Sequence, residues 1–228
     1  MTKRFLNLSL LLVLAVGSVL PLWQTQQADA ALVTYEFSGN ISQVPGALFT
    51  PGGAGANGFN SGLKLSGTYT FETTTPGLLP SGFSTQMYNG SLSNLQLSIG
   101  NYGASLNNSG TNLTMVSTGG TSLYSVNAGV NGNLVKGLAP SLFSINLADE
   151  TGTAFSSVAL PGNPGPSLSS FNVNRWTLVF SNGSTLVGSL DSLKAVPLPA
   201  TVLLFGAGLI GLVGLGARGR FSNSASRA

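Results

Sequence analysis

Apolar and polar side chains alternate along the middle of this 228-residue chain. Val33, Tyr35 and Phe37 alternate with polar neighbours, and the same period of two recurs in later segments. A period of two predicts β-strands that bury one face and leave the other in water. The segments that show this pattern are 33–37, 63–72, 95–99, 113–115, 143–147, 176–180 and 185–193.

Turn-forming residues separate these segments, and no convincing helical stripe runs between residues 31 and 194. Asn182-Gly183 lies between two strand-like stretches, which predicts a β-hairpin with a type I′ turn. Further turn or break signals are Asn89-Gly90, Gly119-Gly120, Asn131-Gly132 and the Pro- and Gly-rich segment 161–166. The pattern predicts an all-β fold, an antiparallel, jelly-roll-like β-sandwich of about eight to ten short strands.

The N-terminus carries the features of a secretory signal peptide. Two basic residues precede the almost purely apolar stretch 5–20, and the small residues Ala28 and Ala30 occupy the positions that signal peptidase reads. We therefore expect export through the Sec translocon and cleavage before Ala31. An uncleaved N-terminal anchor is the alternative, but the apolar stretch is short for a membrane span.

A second apolar segment lies close to the C-terminus. Residues 202–217 carry no charge, and Arg218 and Arg220 follow as a basic stop-transfer signal expected on the cytoplasmic side. The run is slightly shorter than a comfortable membrane helix of about 17–25 residues, although 197–217 could just span the bilayer. The predicted organisation is a signal peptide (1–30), a β-sandwich passenger domain (31–195), a sorting segment with a transmembrane helix (196–220) and a short tail (221–228).

The composition excludes several kinds of chemistry. The chain contains no Cys and no His, so it cannot form disulfides, a thiolate nucleophile or a Ser-His-Asp triad. Between residues 31 and 196, four basic residues face five acidic ones, which leaves no basic patch for nucleic acid. We expect no catalytic residues, no metal and no cofactor.

Three local patterns have both a functional and a simpler interpretation. Asp149-Glu150 could contribute to a calcium site, but two adjacent acids are more often a solvated turn. The Gly-rich segment 52–58 lacks the Lys-Ser/Thr of a phosphate loop, which predicts a flexible surface loop. Residues 206–211 match G-x-G-x-x-G, but no acidic residue follows Asp191, so close helix packing in a bilayer is the better interpretation.

Aromatic side chains could stack on sugars, which makes a carbohydrate-binding module an alternative function. Most of them occupy inward positions of the predicted strands, which favours core packing; these include Tyr35, Tyr69, Tyr124 and Trp176. Tyr88 and Tyr102, in turn-rich stretches, are the better sugar-binding candidates. A third alternative is a hydrolase that uses carboxylates such as Asp149, Glu150 or Asp191.

The segment before the second apolar run resembles the PEP-CTERM sorting domain of bacterial exported proteins, with Pro-Leu-Pro in place of the usual Pro-Glu-Pro. Its residues are Val196, Pro197, Leu198, Pro199, Ala200 and Thr201. The resemblance implies transient anchoring in the inner membrane and cleavage near the motif by an exosortase-like membrane protease. It also implies release towards the cell surface or an extracellular matrix, where an exopolysaccharide is a possible partner.

Two other sorting interpretations remain open. Leu198 to Thr201 spells four residues of the sortase signal Leu-Pro-x-Thr-Gly, but Val202 stands where the glycine would be. The apolar segment could also be a permanent anchor. We therefore expect an exported, non-enzymatic surface or matrix-associated protein whose molecular activity the sequence does not reveal.

Overall fold

The computed structural model describes residues 32–162 and 164–196. Within these residues it contains ten strands and a short 3₁₀ helix, Leu168–Ser170. The strands are β1 (Leu32–Gln43), β2 (Lys64–Glu72), β3 (Thr85–Asn89), β4 (Leu92–Ile99), β5 (Tyr102–Leu106), β6 (Asn112–Ser117), β7 (Ser122–Gly132), β8 (Pro140–Asp149), β9 (Val173–Phe180) and β10 (Thr185–Val196). In this part of the chain, no helix has the length and apolar character that crossing a membrane requires. The predicted signal peptide and transmembrane helix lie outside it.

All ten strands belong to one antiparallel sheet that closes on itself. β3 and β4 together form one strand of the barrel, and β5 and β6 together form the next. Thr85 of β3 lies opposite Ser117 of β6, and Ile99 of β4 lies opposite Tyr102 of β5. With these two composite strands, every strand pairs with its neighbours in sequence, and β10 pairs with β1. The described chain is therefore an eight-stranded, up-and-down antiparallel barrel.

The predicted all-β, antiparallel fold is confirmed, but the predicted sandwich is not. β1 pairs along its length with both β2 and β10, so that Thr34 lies opposite Thr70 on one side and Val196 on the other. One continuous sheet thus replaces the two sheets of a sandwich. The alternation along each strand does not distinguish the two folds, because the inside of a barrel and the inner face of a sandwich have the same period.

Aromatic side chains fill the barrel. The ring of Tyr35 lies 5.3 Å from that of Tyr69 and 5.6 Å from that of Phe71, and the rings of Phe143 and Trp176 are 6.5 Å apart. Each of these five side chains is at most 1% exposed. The interior of an eight-stranded barrel is just wide enough for side chains, and here they form a packed core.

At Gly188 in β10, the backbone of the barrel wall lies directly against a core side chain. A Cβ atom there would stand 2.1 Å from the backbone oxygen of Asn40 and 2.2 Å from the ring of Trp176. No heavy atom can be accommodated at such distances without movement of the backbone. Glycine at this position therefore allows the indole of Trp176 to approach the backbone of the barrel wall.

The two ends of the barrel differ in which parts of the chain lie there. We call the end at which the described chain enters at Leu32 and leaves at Val196 the near end, and the opposite end the far end. The loop 150–172, or near loop, covers the near end, and the loop 44–63, or far loop, covers the far end. Both loops add buried side chains to the core, among them Leu160 and Phe171 from the near loop and Leu48 and Phe59 from the far loop.

Residues 52–58, the predicted surface loop, lie within the far loop and are only partly exposed. Gly55 and Gly58 exchange backbone hydrogen bonds of 2.9 and 3.0 Å, and both are buried. Gly55 has a φ of +117°, and a Cβ there would stand 2.4 Å from the backbone oxygen of Ile99. The glycines therefore permit a sharp turn against the β4–β5 connection.

Two turn predictions need correction. The predicted β9–β10 hairpin at Asn182-Gly183 is confirmed, but its turn is not type I′, because Gly183 has a positive φ and Asn182 does not. The Gly183 amide donates to the Phe180 carbonyl at 2.8 Å, as in a type I turn followed by a left-handed residue. Asn131-Gly132 does not form a turn but ends β7.

Candidate functional site

The sorting motif begins inside the barrel wall. Val196, its first residue, is the last residue of β10 and lies opposite Thr34 of β1. Ala195, which precedes it, is also paired, with Tyr35. Other predicted processing residues lie outside the described part of the chain; they are Ala28, Ala30, Ala31, Pro197, Leu198, Pro199, Ala200, Thr201, Arg218 and Arg220.

The two predicted processing sites converge on one pair of strands. β1 begins at Leu32, directly after Ala31, and β10 ends at Val196, directly before Pro197. These strands pair with each other at the near end. Sequence reasoning placed the two sites at opposite ends of the chain and did not predict this proximity, because it depends on the closure of the barrel.

The last residues of β10 border a groove. β9 pairs only with Thr185–Ser189 of β10, so the following stretch of β10 has the near loop on that side. A groove of about 350 Å³ lies there, between residues 164–167 of the near loop and residues 193–195 of β10. Residues 193–195, immediately before the sorting motif, thus pair with β1 on one edge, and their other edge borders this groove.

A polar surface, here called the polar wall, covers the outside of β2, β4, β5 and the end of β7. Its side chains carry hydroxyl or amide groups and no charge; they are Ser66, Thr68, Gln96, Ser98, Ser105 and Asn131. The hydroxyls of Ser66 and Ser98 lie 3.0 Å apart. Two open grooves of about 340 and 250 Å³ run along this wall and share Gln96 and Leu97.

A second polar network lies on the outer face of β7 and β8. The Ser125 hydroxyl donates to the Asn146 side-chain oxygen at 2.7 Å, and the Ser144 hydroxyl donates to that of Asn127 at 2.8 Å. The Asn127 amide also donates to the Ser125 hydroxyl at 2.9 Å. These groups satisfy one another, so the polar wall is the more available of the two surfaces.

Asp149 organises the start of the near loop. Its carboxylate accepts the Thr151 hydroxyl at 2.6 Å and the Thr151, Thr153 and Ala154 amides at 2.7 to 2.9 Å. The hydroxyl of Thr151, followed by these amides, holds the pKa of Asp149 well below its ordinary value, although burial acts in the opposite direction. The carboxylate oxygens are thus engaged with donors of the turn, which supports the structural interpretation over a calcium ligand.

The acidic and aromatic candidates do not assemble into a site. Asp191 of β10 accepts a hydrogen bond from the side-chain amide of Asn40 in the neighbouring strand β1. Glu150 is exposed. Within the described residues, no group of three or more His, Cys, Asp or Glu residues is placed to hold a metal ion. Tyr88 and Tyr102 are 7% and 1% exposed, so neither offers a ring face to a sugar.

Buried phenol groups do form one defined contact. The hydroxyls of Tyr69 and Tyr124 lie 3.0 Å apart inside the barrel. Burial is the main reason why the pKa of each is raised above its ordinary value. The core role predicted for Tyr35, Tyr69, Tyr124 and Trp176 is confirmed, since each is 0% exposed.

Comparison of the chain with protein-family models, with curated proteins and with solved structures found no match. Its function must therefore be argued from its own residues and geometry.

Proposed function

We propose that this chain is the precursor of an exported bacterial protein that an exosortase-like membrane protease sorts to the cell surface or the extracellular matrix. Signal peptidase cuts before Ala31, and residues 202–217 hold the precursor in the inner membrane. The protease then recognises the Pro197-Leu198-Pro199 motif and cuts close to it. The released product is the barrel, a non-enzymatic component of the surface or of an exopolysaccharide matrix.

The pairing of the first and last described strands carries this proposal. β1 and β10 pair with each other at the near end, with Thr34 opposite Val196 and Tyr35 opposite Ala195, so both predicted signals continue from the same end of the barrel. Removal of both terminal segments would leave every described strand pair intact, including the pairing of Thr34 with Val196 that helps to close the barrel. Of the predicted sorting motif, Val196 belongs to the folded barrel, so a cut that keeps this residue preserves the closing pair.

The packing of the barrel supports a structural role. Its interior is occupied by aromatic side chains, and a loop covers each end. Asp149, the acid with the most strongly shifted pKa, is bound by donors of its own turn. A barrel with a filled interior suits a stable matrix component, because only its outer surface is available to other molecules.

The sorting proposal is tested by transferring the tail. Residues 196–228 are fused to the C-terminus of an inert exported reporter in a host that contains the sorting machinery. We expect a shortened reporter in the medium and, as a matched control, full-length reporter retained in membranes when Pro197 and Pro199 are both replaced by Ala. A wild-type tail that stays uncut in the membrane fraction would overturn the proposal.

The polar wall supports a second candidate function, contact with a neutral polysaccharide. Its hydroxyl and amide groups can donate and accept hydrogen bonds, and the two grooves share Gln96. We expect a Gln96→Glu variant to bind polysaccharide from the producing culture at least about tenfold more weakly than the parent. Ser189→Glu, an exposed change on β10, is the control, and equal binding by the parent and both variants excludes this function.

A further inference from the structure

We propose that the near end of the barrel rests on the phospholipid headgroup layer while the precursor is tethered. This inference depends on the proposed function, in which residues 202–217 lie in the inner membrane. It adds the orientation of the barrel and a specific contact surface. The contact surface, here called the near rim, consists of the exposed apolar side chains Leu32, Phe83, Val173 and Val196.

The length of the tether carries the first step. Residues 197–201 separate Val196 from the apolar run, and even a fully extended chain would place Val196 within about 20 Å of that run. β10 cannot lengthen this connection without losing its pairs with β1, which include Val196 with Thr34 and Ala195 with Tyr35. The near end is therefore held beside the membrane, whereas the far end has no such restraint.

The side chains at the near end carry the second step. Leu32 and Val196 are 53% and 42% exposed at the ends of the paired strands β1 and β10. Phe83 is 59% exposed and lies beside the β6–β7 turn, where the amide of Thr118 donates to the carbonyl of Ser84 at 2.7 Å. Apolar side chains gain free energy when they enter the boundary between headgroups and acyl chains.

Charge does not explain the contact. The charged residues near this end have both signs, since Glu72 ends β2 and Glu150 follows β8, while Lys194 lies near the end of β10. Attraction to anionic lipids is therefore weak, and apolar burial is the main attraction. We expect the contact to change less than about twofold between low salt and 0.5 M NaCl, because added salt screens charge interactions and leaves apolar burial largely intact.

The absence of Cys from the chain allows a direct test with single introduced thiols. Phe83→Cys places a probe on the near rim, and Leu134→Cys places a matched probe in the β7–β8 connection at the far end. The two native side chains are 59% and 60% exposed. Each full chain from Ala31 to Ala228 is labelled with an environment-sensitive fluorophore and reconstituted into phosphatidylethanolamine–phosphatidylglycerol vesicles, with and without nitroxide-labelled lipid.

We expect the nitroxide lipid to quench the probe at position 83 at least about threefold more than the probe at position 134. Trp176 fluorescence reports whether each variant is folded, and Val173→Cys provides a second near-rim probe. Equal quenching at both ends in vesicles that carry the protein overturns the orientation and leaves the sorting proposal standing. Failure of the full chain to float with the vesicles overturns the tether and this inference together.

Discussion

The two ends of the barrel are covered by loops of different chemistry. At the far end, Leu48 and Phe59 are fully buried, and the ring of Phe59 meets that of Tyr102 edge-on at 5.5 Å. At the near end, the Tyr35 hydroxyl donates to the Gly162 carbonyl at 2.6 Å, and the Tyr88 hydroxyl donates to the Val158 carbonyl at 2.7 Å. The near loop thus accepts hydrogen bonds from phenol groups of the core, whereas the far loop adds a ring to the core and makes its side-chain hydrogen bonds within itself and with neighbouring loops.

This difference shows how one core can support two kinds of closure. The far loop is stabilised by the burial of Leu48 and Phe59 and by hydrogen bonds that involve no phenol or carboxylate. The near loop also buries Leu160 and Phe171, but its path over the barrel depends on hydroxyl and carboxylate hydrogen bonds. The near end is also the end at which the described chain begins, at Leu32, and ends, at Val196.

The largest expected effect is at the far end. Phe59→Ala should lower the free energy of unfolding by about 3–5 kcal/mol, because it removes a fully buried ring and leaves a cavity. The measurement is urea unfolding followed by Trp176 fluorescence. Phe49→Ala, a change in the same loop at a 45% exposed side chain, should cost less than about 0.5 kcal/mol. Equal losses for the two variants would contradict the apolar closure.

High pH should unfold the barrel through its buried phenols. Burial raises the pKa of Tyr102 to about 12 and also raises that of Tyr35. Because the folded pKa lies above the unfolded value of about 10, the stability from these groups is present below pH 10 and is lost as pH rises through the folded pKa. Tyrosinate absorbance at 295 nm should therefore appear together with the loss of native circular dichroism. Ionisation of all the phenols near pH 10 in a folded barrel would contradict this.

A smaller effect is expected from removing one near-end hydroxyl. Tyr35→Phe should cost about 1–3 kcal/mol, because the carbonyls of Pro161 and Gly162 lose their donor. Tyr102→Phe is the matched control, because the Tyr102 hydroxyl is buried and has no hydrogen-bond partner among the described residues. We expect that control to be neutral or slightly stabilising in the same urea measurement. A larger loss for the control than for Tyr35→Phe would contradict the role of the near-end hydrogen bonds.

The effect of Asp149→Asn on stability should depend on pH. The folded pKa of Asp149 lies below its ordinary value of 3.8, so the carboxylate stabilises the fold above about pH 4. That contribution is lost as pH falls from there through the folded pKa. The melting temperatures of parent and variant should therefore differ at pH 7 and converge towards pH 2. Glu150→Gln, next to it and exposed, is the control, and a constant difference at all pH values would contradict the proposed turn.

The strand pattern could be predicted from sequence because burial on one face leaves a local period of two. Three strands, β3, β5 and β7, are not among the predicted segments. In β7, Asn131-Gly132 resembles a turn but lies at the end of the strand. The barrel itself depends on pairs distant in sequence, such as Thr34 with Val196. Period-two alternation carries no information about which strand is opposite which.

Only part of the candidate site could be predicted from the sequence. Tyr35 and Trp176 could be assigned to the core because their neighbours alternate with them. The pairing of Thr34 with Val196, which brings the first and last described strands together, could not be assigned in this way, because it depends on the closure of the barrel. The burial of Gly55 and Gly58 in the far loop could not be predicted, because glycines are typical both of flexible segments and of tight backbone contact.

The most direct test of the account is the intact mass of the protein recovered separately from membranes and from the medium of the producing cells. The account predicts a released species that begins at Ala31 and ends within residues 197–201, so that β1 and β10 are both complete. It also predicts a membrane-bound species that retains the C-terminal segment. Retention of residues 218–228 in every fraction would contradict the claim that the barrel is released from a temporary tether.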